Sequence, residues 1–330
     1  MFKRSLIISI CIFIIVVSLF YSYLSFIKPT TTRIYKVGIL CGFSYFCNTV
    51  DGLTEKLKEM GYIEGENIDY FIERTNDPEY YKNVTQKFLD EKVDVIVVFP
   101  TEAAMEAKKV VQGRIPIVFA DSFTEGNDLI DNISKPGVNI TGVRWATADI
   151  ALKNFEILLS VMPNCRKIWI PYMADSNNAQ IQIAEIRISA KDNNVTLIEV
   201  PANSFDDVIA DMEMRASTNV TDVDAVILLS DTIPGSPEIA PKIVDFWKRR
   251  GVPTVTAINF GGIFTLLPDN VEAGEFAALL VHKILRGQNA GEIPVMTQET
   301  KVIVNYNATQ EFKSKLDVNL LLEKADVIMR

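Results

Sequence analysis

Lys92-Val93-Asp94-Val95-Ile96-Val97-Val98-Phe99-Pro100-Thr101-Glu102-Ala103-Ala104 is the stretch that decides the fold. Val93 to Phe99 is apolar and β-branched with one acid near its start, the pattern of a strand buried on both faces. Pro100 and Thr101 interrupt it, and Glu102 to Lys108 is a run of good helix formers. Thr101 is placed to cap that helix, and Glu102 suits its positive end. A buried parallel strand that runs straight into a helix N-terminus is where open α/β sheets receive ligands. This turn is therefore expected to be one lip of a binding cleft.

The same strand-turn-helix unit recurs on either side. Val37 to Cys41 reads as a strand, Val50 to Met60 as an amphipathic helix ended by Gly61, Ile68 to Ile72 as a strand and Glu79 to Asp90 as a helix. Pro116 to Ala120 closes this series, and the polar stretch from Asp121 to Asn139 reads as a long loop. From Ala148 the rhythm restarts, with strands at Lys167–Tyr172, Val195–Val200, Ala225–Leu229 and Pro253–Ala257 between helices. Two such βα series imply two parallel sheets flanked by helices, with a cleft between two lobes.

At 330 residues, with 48% hydrophobic and 23% charged residues, the chain has ample material for real cores. A net charge of −9 speaks against a nucleic-acid partner, which demands a basic face. With a single histidine, His282, and no Cys-x-x-Cys pair, a metal site is not expected. Cys41 and Cys47 either close a small loop or leave Cys41 simply ending a buried strand. Lys3 and Arg4 precede Ser5 to Ile27, 23 residues without a charge. As a helix that run spans roughly 34 Å, enough to cross a bilayer. The flanking charges place the rest of the chain outside the cytoplasm. No small-x-small cleavage site ends the run, so an uncleaved anchor is preferred to a signal peptide.

An ordered series of phrases carries a resemblance. Gly61-Tyr62-Ile63-Glu64-Gly65-Glu66-Asn67, Asp94-Val95-Ile96-Val97, Thr101-Glu102-Ala103 and Ile115-Pro116-Ile117-Val118-Phe119-Ala120 come first. Lys135-Pro136-Gly137-Val138-Asn139-Ile140-Thr141-Gly142-Val143, Ser230-Asp231-Thr232 and Ile284-Leu285-Arg286-Gly287-Gln288 follow. Together they resemble the type I periplasmic-binding-protein superfamily, and within it the ABC-transporter substrate-binding branch with tryptophan- and tyrosine-type members. The resemblance implies an α/β fold of two lobes, each a parallel sheet flanked by helices, joined by three crossovers. Residues 1–33 would be anchor (or signal peptide) and linker. Residues 34–143 with 263–290 would form lobe one, and 144–262 with 291–330 lobe two.

The resemblance also marks a site. The family's Thr-Pro-Ala turn falls on Thr101-Glu102-Ala103, with Glu in place of Pro, and its Asp-Asn on Asp231-Thr232. Where the family has Thr-Asp-Pro, this chain has Asp121-Ser122-Phe123-Thr124-Glu125-Gly126, so either Asp121 or Glu125 is expected to stand in for the family's acid, or the ligand differs. The residues add their own reading. Phe43 and Tyr45 are placed to stack on a flat ligand, Ser44 and Thr101 offer hydroxyls, and Ser122 ends a strand. Tyr172, Asp175 and Asn259 lie, with Asp231 and Thr232, at neighbouring strand ends of the second lobe, where they could receive an ammonium or hydroxyls. Arg144-Trp145 beside the first crossover reads first as hinge packing. The expectation is an extracytoplasmic binding protein of an ABC importer, not an enzyme, with no cofactor. Its partners would be a small solute, an ABC permease and, through the N-terminal helix, the bilayer. A membrane-tethered sensing module is the alternative.

Overall fold

The computed structural model describes residues 33–217, 222–231 and 236–330. The apolar segment Ser5–Ile27 and Thr232 lie outside the described residues. No helix among the described residues is long and apolar enough to cross a membrane.

The first sheet contains β1 (Tyr35–Cys41), β2 (Ile68–Arg74), β3 (Val95–Phe99), β4 (Ile117–Ser122), β5 (Ile140–Arg144) and the short β11 (Met296–Thr297), in the order β11-β5-β4-β3-β1-β2. Every pair in it is parallel. β3 sits inside this sheet because both of its faces are apolar. Val95, Val97 and Phe99 join one core, while Ile96 and Val98 join the opposite one. Helices α1 (Asn48–Glu59) and α8 (Asn270–Leu285) cover the first face, and α2 (Glu79–Asp90) and α3 (Thr101–Val111) the second.

The approach of α1 to α8 requires two glycines. A Cβ on Gly52 would lie 2.0 Å from the Val271 carbonyl oxygen, and one on Gly274 would lie 2.1 Å from that of Thr49. Only bare backbone fits at that contact.

The second sheet runs β13-β12-β10-β9-β8-β6-β7. Its strands are β6 (Lys167–Met173), β7 (Thr196–Ala202), β8 (Ala225–Ile227), β9 (Thr254–Thr256), β10 (Phe264–Pro268), β12 (Thr300–Asn305) and β13 (Val327–Met329). It is parallel except for the antiparallel β10–β12 pair. Helices α4 (Thr147–Val161) and α5 (Asn177–Asp192) bring Ile150, Phe155, Ile183 and Ile186 to one core. On the other side, α6 (Phe205–Ser217) and α7 (Ala240–Lys248) surround Trp169 and Trp247, whose rings lie 5.3 Å apart. The short helices α9 (Tyr306–Glu311) and α10 (Val318–Glu323) complete the chain.

The chain passes between the sheets three times: from β5 into α4, from β10 into α8, and from β11 into β12. This corrects the expected lobe boundaries at two points. Residues 264–268 pair within the second sheet, because β10 finds its partners in β9 and β12. Residues 296–297 pair with β5 in the first sheet rather than falling in the second.

Side chains gather at these crossings. The Arg144 guanidinium pairs with Glu125, donates to Thr297 Oγ1 at 3.0 Å and lies 3.6 Å from Asp149 Oδ2 at the start of α4. It thereby joins the loop after β4, the third crossing and the first helix of the second lobe.

Candidate functional site

Two adjoining cavities lie at the C-terminal ends of the strands, where the turn after β3 led one to look. The first, about 340 Å³, is built by the first lobe. Gly42, Phe43 and Phe46 follow β1, while Pro100, Thr101 and Glu102 follow β3. Asp121 and Phe123 close it at the end of β4, and Trp145 at the end of β5. Tyr81 on α2 completes the apolar wall and donates its hydroxyl to the Gly42 carbonyl at 2.6 Å. The second cavity, about 240 Å³, shares Glu102, Phe123 and Trp145 with the first. Its remaining wall comes from the second lobe: Thr147, Ser176, Asn178, Ser230, Asp231 and Ile258. The first chamber thus offers mostly rings, and the second mostly hydroxyl, amide and carboxylate groups.

A disulfide between Cys41 and Cys47 closes the loop that carries Phe43 and Phe46. Their rings lie 5.9 Å apart, and Phe46 meets Trp145 edge to face at 6.2 Å. Ring positions in this wall are therefore set by a covalent bridge on one side and by the first crossing on the other.

Asp121 is the buried acid of the site. It adopts a left-handed φ of 46° at an irregularity in the β4–β5 pairing, a conformation that Asp tolerates better than most residues. Thr49 Oγ1 donates to its Oδ2 at 2.5 Å, and Gln298 Nε2 to its Oδ1 at 2.6 Å. Burial outweighs these two donors and pushes the carboxyl up from 3.8 to about 7. Gln298 belongs to the third crossing, and its backbone N–H donates to the Arg144 carbonyl at 3.0 Å. The cavity's acid is hence bonded directly to a segment that links the lobes.

Among the described residues, the wall holds Glu102, Asp121 and Asp231 and no Lys, Arg or His. Such a lining favours a ligand with a positive group over one that is only anionic. Neutral N–H and O–H groups are left to meet any ligand oxygen. Among the described residues, no group of His, Cys, Asp and Glu is arranged to hold a metal ion.

A sequence model described as "ABC transporter substrate binding protein" matches residues 44–328 and so takes in all three crossings and, β1 apart, nearly all of both sheets. The chain belongs to this family. Members of it are solute-binding proteins rather than enzymes. A "Tyrosine-binding protein" from Clostridioides difficile (strain R20291) is 27% identical over 265 residues, 77% of this chain and 73% of that one. Two solved structures share the fold. One is a ligand-free, open substrate-binding protein with adhesive properties from Clostridium difficile, with TM-score 0.75 at 22% identity, covering 90% of this chain and 99% of that one. The other is an ABC domain from Streptococcus pneumoniae in complex with L-Trp, with TM-score 0.73 at 19% identity, covering 90% and 100%.

Of the expected site residues in this family member, Phe43, Thr101, Glu102 and Asp121 line the first cavity, and Glu102 and Asp231 the second. Thr101 does not cap α3; it is the first helical residue, and its hydroxyl accepts the Phe123 N–H at 3.1 Å. Ser44 and Tyr45 line neither cavity. The Ser44 N–H donates to Asn76 Oδ1, and the Tyr45 carbonyl accepts from Asn270 Nδ2. Ser122 is buried, with its hydroxyl donating to the Ala120 carbonyl. Tyr172 points into the core with Ile168 and Ile170 and donates to Glu199. Asp175 is exposed beside Ser176, which caps α5 by accepting the Ala179 N–H. Asn259 is exposed and donates to Met329 Sδ.

Among the other lining residues, Phe46, Tyr81, Phe123 and Asn178 were not assigned to the site from the sequence, and Trp145 was read first as hinge packing. Trp145 carried a usable signal, since it follows a strand end as directly as Thr101 does. Asn178, inside the first turn of α5, carried none.

Proposed function

We propose that this chain is the extracytoplasmic solute-binding component of an ABC importer and captures an aromatic amino acid between its lobes. One observation carries the reading: the two cavities meet at Glu102, Phe123 and Trp145 and draw their walls from both lobes. A single solute seated there touches both bodies. Its ring lies among Phe43, Phe46 and Tyr81, its ammonium faces Asp121 and Glu102, and its carboxylate meets neutral donors. The relatives' names, one binding tyrosine and one crystallised with L-Trp, agree with that chemistry. Contacts to both lobes favour the closed arrangement over the open one, and a permease reads the closed form. No bond is made or broken. We also propose that the uncharged segment Ser5–Ile27 anchors the protein in the membrane uncleaved, and N-terminal sequencing of the membrane fraction checks it. A mature start near residue 28 would refute the anchor.

The solute is tested by thermal unfolding of the full-length protein in detergent with L-tyrosine, L-tryptophan, L-alanine and uridine. The aromatic amino acids raise the melting temperature, because a ligand at about a hundred times its Kd adds about 2.7 kcal/mol. No shift with either aromatic amino acid sinks the proposal.

A further inference from the structure

We propose that the indole N–H of Trp145 donates to an acceptor oxygen of the solute, which makes the residue at the first crossing a determinant of specificity. The inference rests on the aromatic amino-acid reading above and adds the donor that stands where a basic residue would otherwise be needed.

Trp145 is 9% exposed, and its Nε1 has no acceptor among the described residues. A buried donor left without a partner is costly, and such groups in folded proteins are normally paired. The Trp247 Nε1 is unpaired too, but it lies within the second-lobe core and borders neither cavity. Trp145 stands in the wall that the two cavities share. Several of the polar groups around it are already committed to other partners. Arg144 is engaged by Glu125, Thr297 and Asp149. The Asn178 amide donates to the Ser230 carbonyl at 2.7 Å, and the Thr147 hydroxyl to Asn178 Oδ1 at 2.6 Å. In a wall with three carboxylates and no cation, a solute oxygen needs such a neutral donor, and the Trp145 indole is uncommitted.

Position gives the contact a consequence. The Trp145 backbone N–H donates to the Ser122 carbonyl at 2.8 Å, which ties the residue to the first lobe. Its carbonyl accepts the Thr147 N–H at 3.0 Å at the start of α4 in the second. A solute held by this ring is held where the chain leaves one body for the other.

Trp145→Phe keeps the ring and deletes the N–H. Titration of wild type and W145F with L-tyrosine, tyramine and L-phenylalanine tests the proposal. The variant binds L-tyrosine roughly tenfold more weakly or worse. That penalty vanishes with tyramine if the carboxylate is the acceptor, or with L-phenylalanine if the phenol is. Tryptophan emission reports independently, because Trp169 and Trp247 are fully buried away from the cavities. The ligand-induced change in emission is present in wild type and absent in W145F. Unchanged affinity for L-tyrosine, one equal penalty for all three ligands, or an emission change that persists in W145F overturns the inference alone. A wild type that binds neither L-tyrosine nor L-phenylalanine overturns the proposed function and this inference with it.

Discussion

Replacing Asp121 with asparagine stabilises the protein above neutral pH and removes a slope in its stability below it. In the folded chain this carboxyl keeps its proton up to about pH 7, whereas an unfolded chain releases it near 3.8. Between those values the folded state holds a proton that the unfolded state has lost, so stability falls as pH rises through the window. The contribution is complete below pH 3.8 and gone above about 7. A difference of about three pH units corresponds to a ceiling of about 4 kcal/mol at 1.36 kcal/mol per unit. Asparagine fits the same place without charge. Its oxygen accepts from Gln298 Nε2, and its amide donates to the Thr49 hydroxyl, which only has to rotate. Melting temperatures of wild type and Asp121→Asn, measured side by side from pH 5 to 8, give a difference in which other titrating groups cancel. That difference moves in favour of the variant as pH rises. A difference that stays constant across the range refutes the buried, proton-holding carboxyl.

The same group links proton to solute. An ammonium brought against Asp121 favours its ionised form, so binding near pH 6.5 expels a proton from the carboxyl. Isothermal titration of wild type with L-tyrosine in two buffers of different ionisation enthalpy then gives different heats. In Asp121→Asn the buffer dependence disappears and the affinity falls. Wild-type heats that match in both buffers would place the ammonium elsewhere in the cleft.

Three further substitutions separate structure from binding. Asp231→Asn keeps an oxygen to accept the Met173 N–H, now bonded at 2.6 Å to Asp231 Oδ2, so melting is unchanged while solute affinity drops; unchanged affinity removes Asp231 from the site. Cys47→Ser opens the loop between residues 41 and 47 and costs about 2 kcal/mol from loop closure alone. It also loosens Phe43 and Phe46, so weaker binding of L-tyrosine accompanies the lower melting temperature. Gly274→Ala drives a methyl into the Thr49 carbonyl and costs about 3 kcal/mol by forcing α8 off α1. Because Thr49 holds Asp121, this variant also weakens solute binding, which a purely remote packing defect would spare.

The first lobe was legible because its central strands are buried by their own residues. In β3, alternate side chains feed two different cores, and the five consecutive apolar residues from Val95 to Phe99 announce that directly. β10 and β11 were not legible in the same way. Each is short, and its sheet is decided by partners far along the chain, Val255 and Val304 for Phe264, and Val143 for Met296. Strand parity explains one of the misplaced site residues. Tyr172 shares a face with Ile168 and Ile170, so counting in twos from that core sends its ring inward. Asp121 shows the opposite case, where the irregularity after Phe119 breaks the count and brings a polar side chain to the cavity wall. The second chamber was hardest to read because its wall is composed after folding. Asn178 comes from the first turn of a helix, Trp145 from a crossing and Asp231 from a strand end, and no local pattern relates them. What relates them is the requirement that one solute touch both lobes. Local burial fixed each lobe separately, whereas the wall shared through Glu102, Phe123 and Trp145 exists only once the chain has crossed between them.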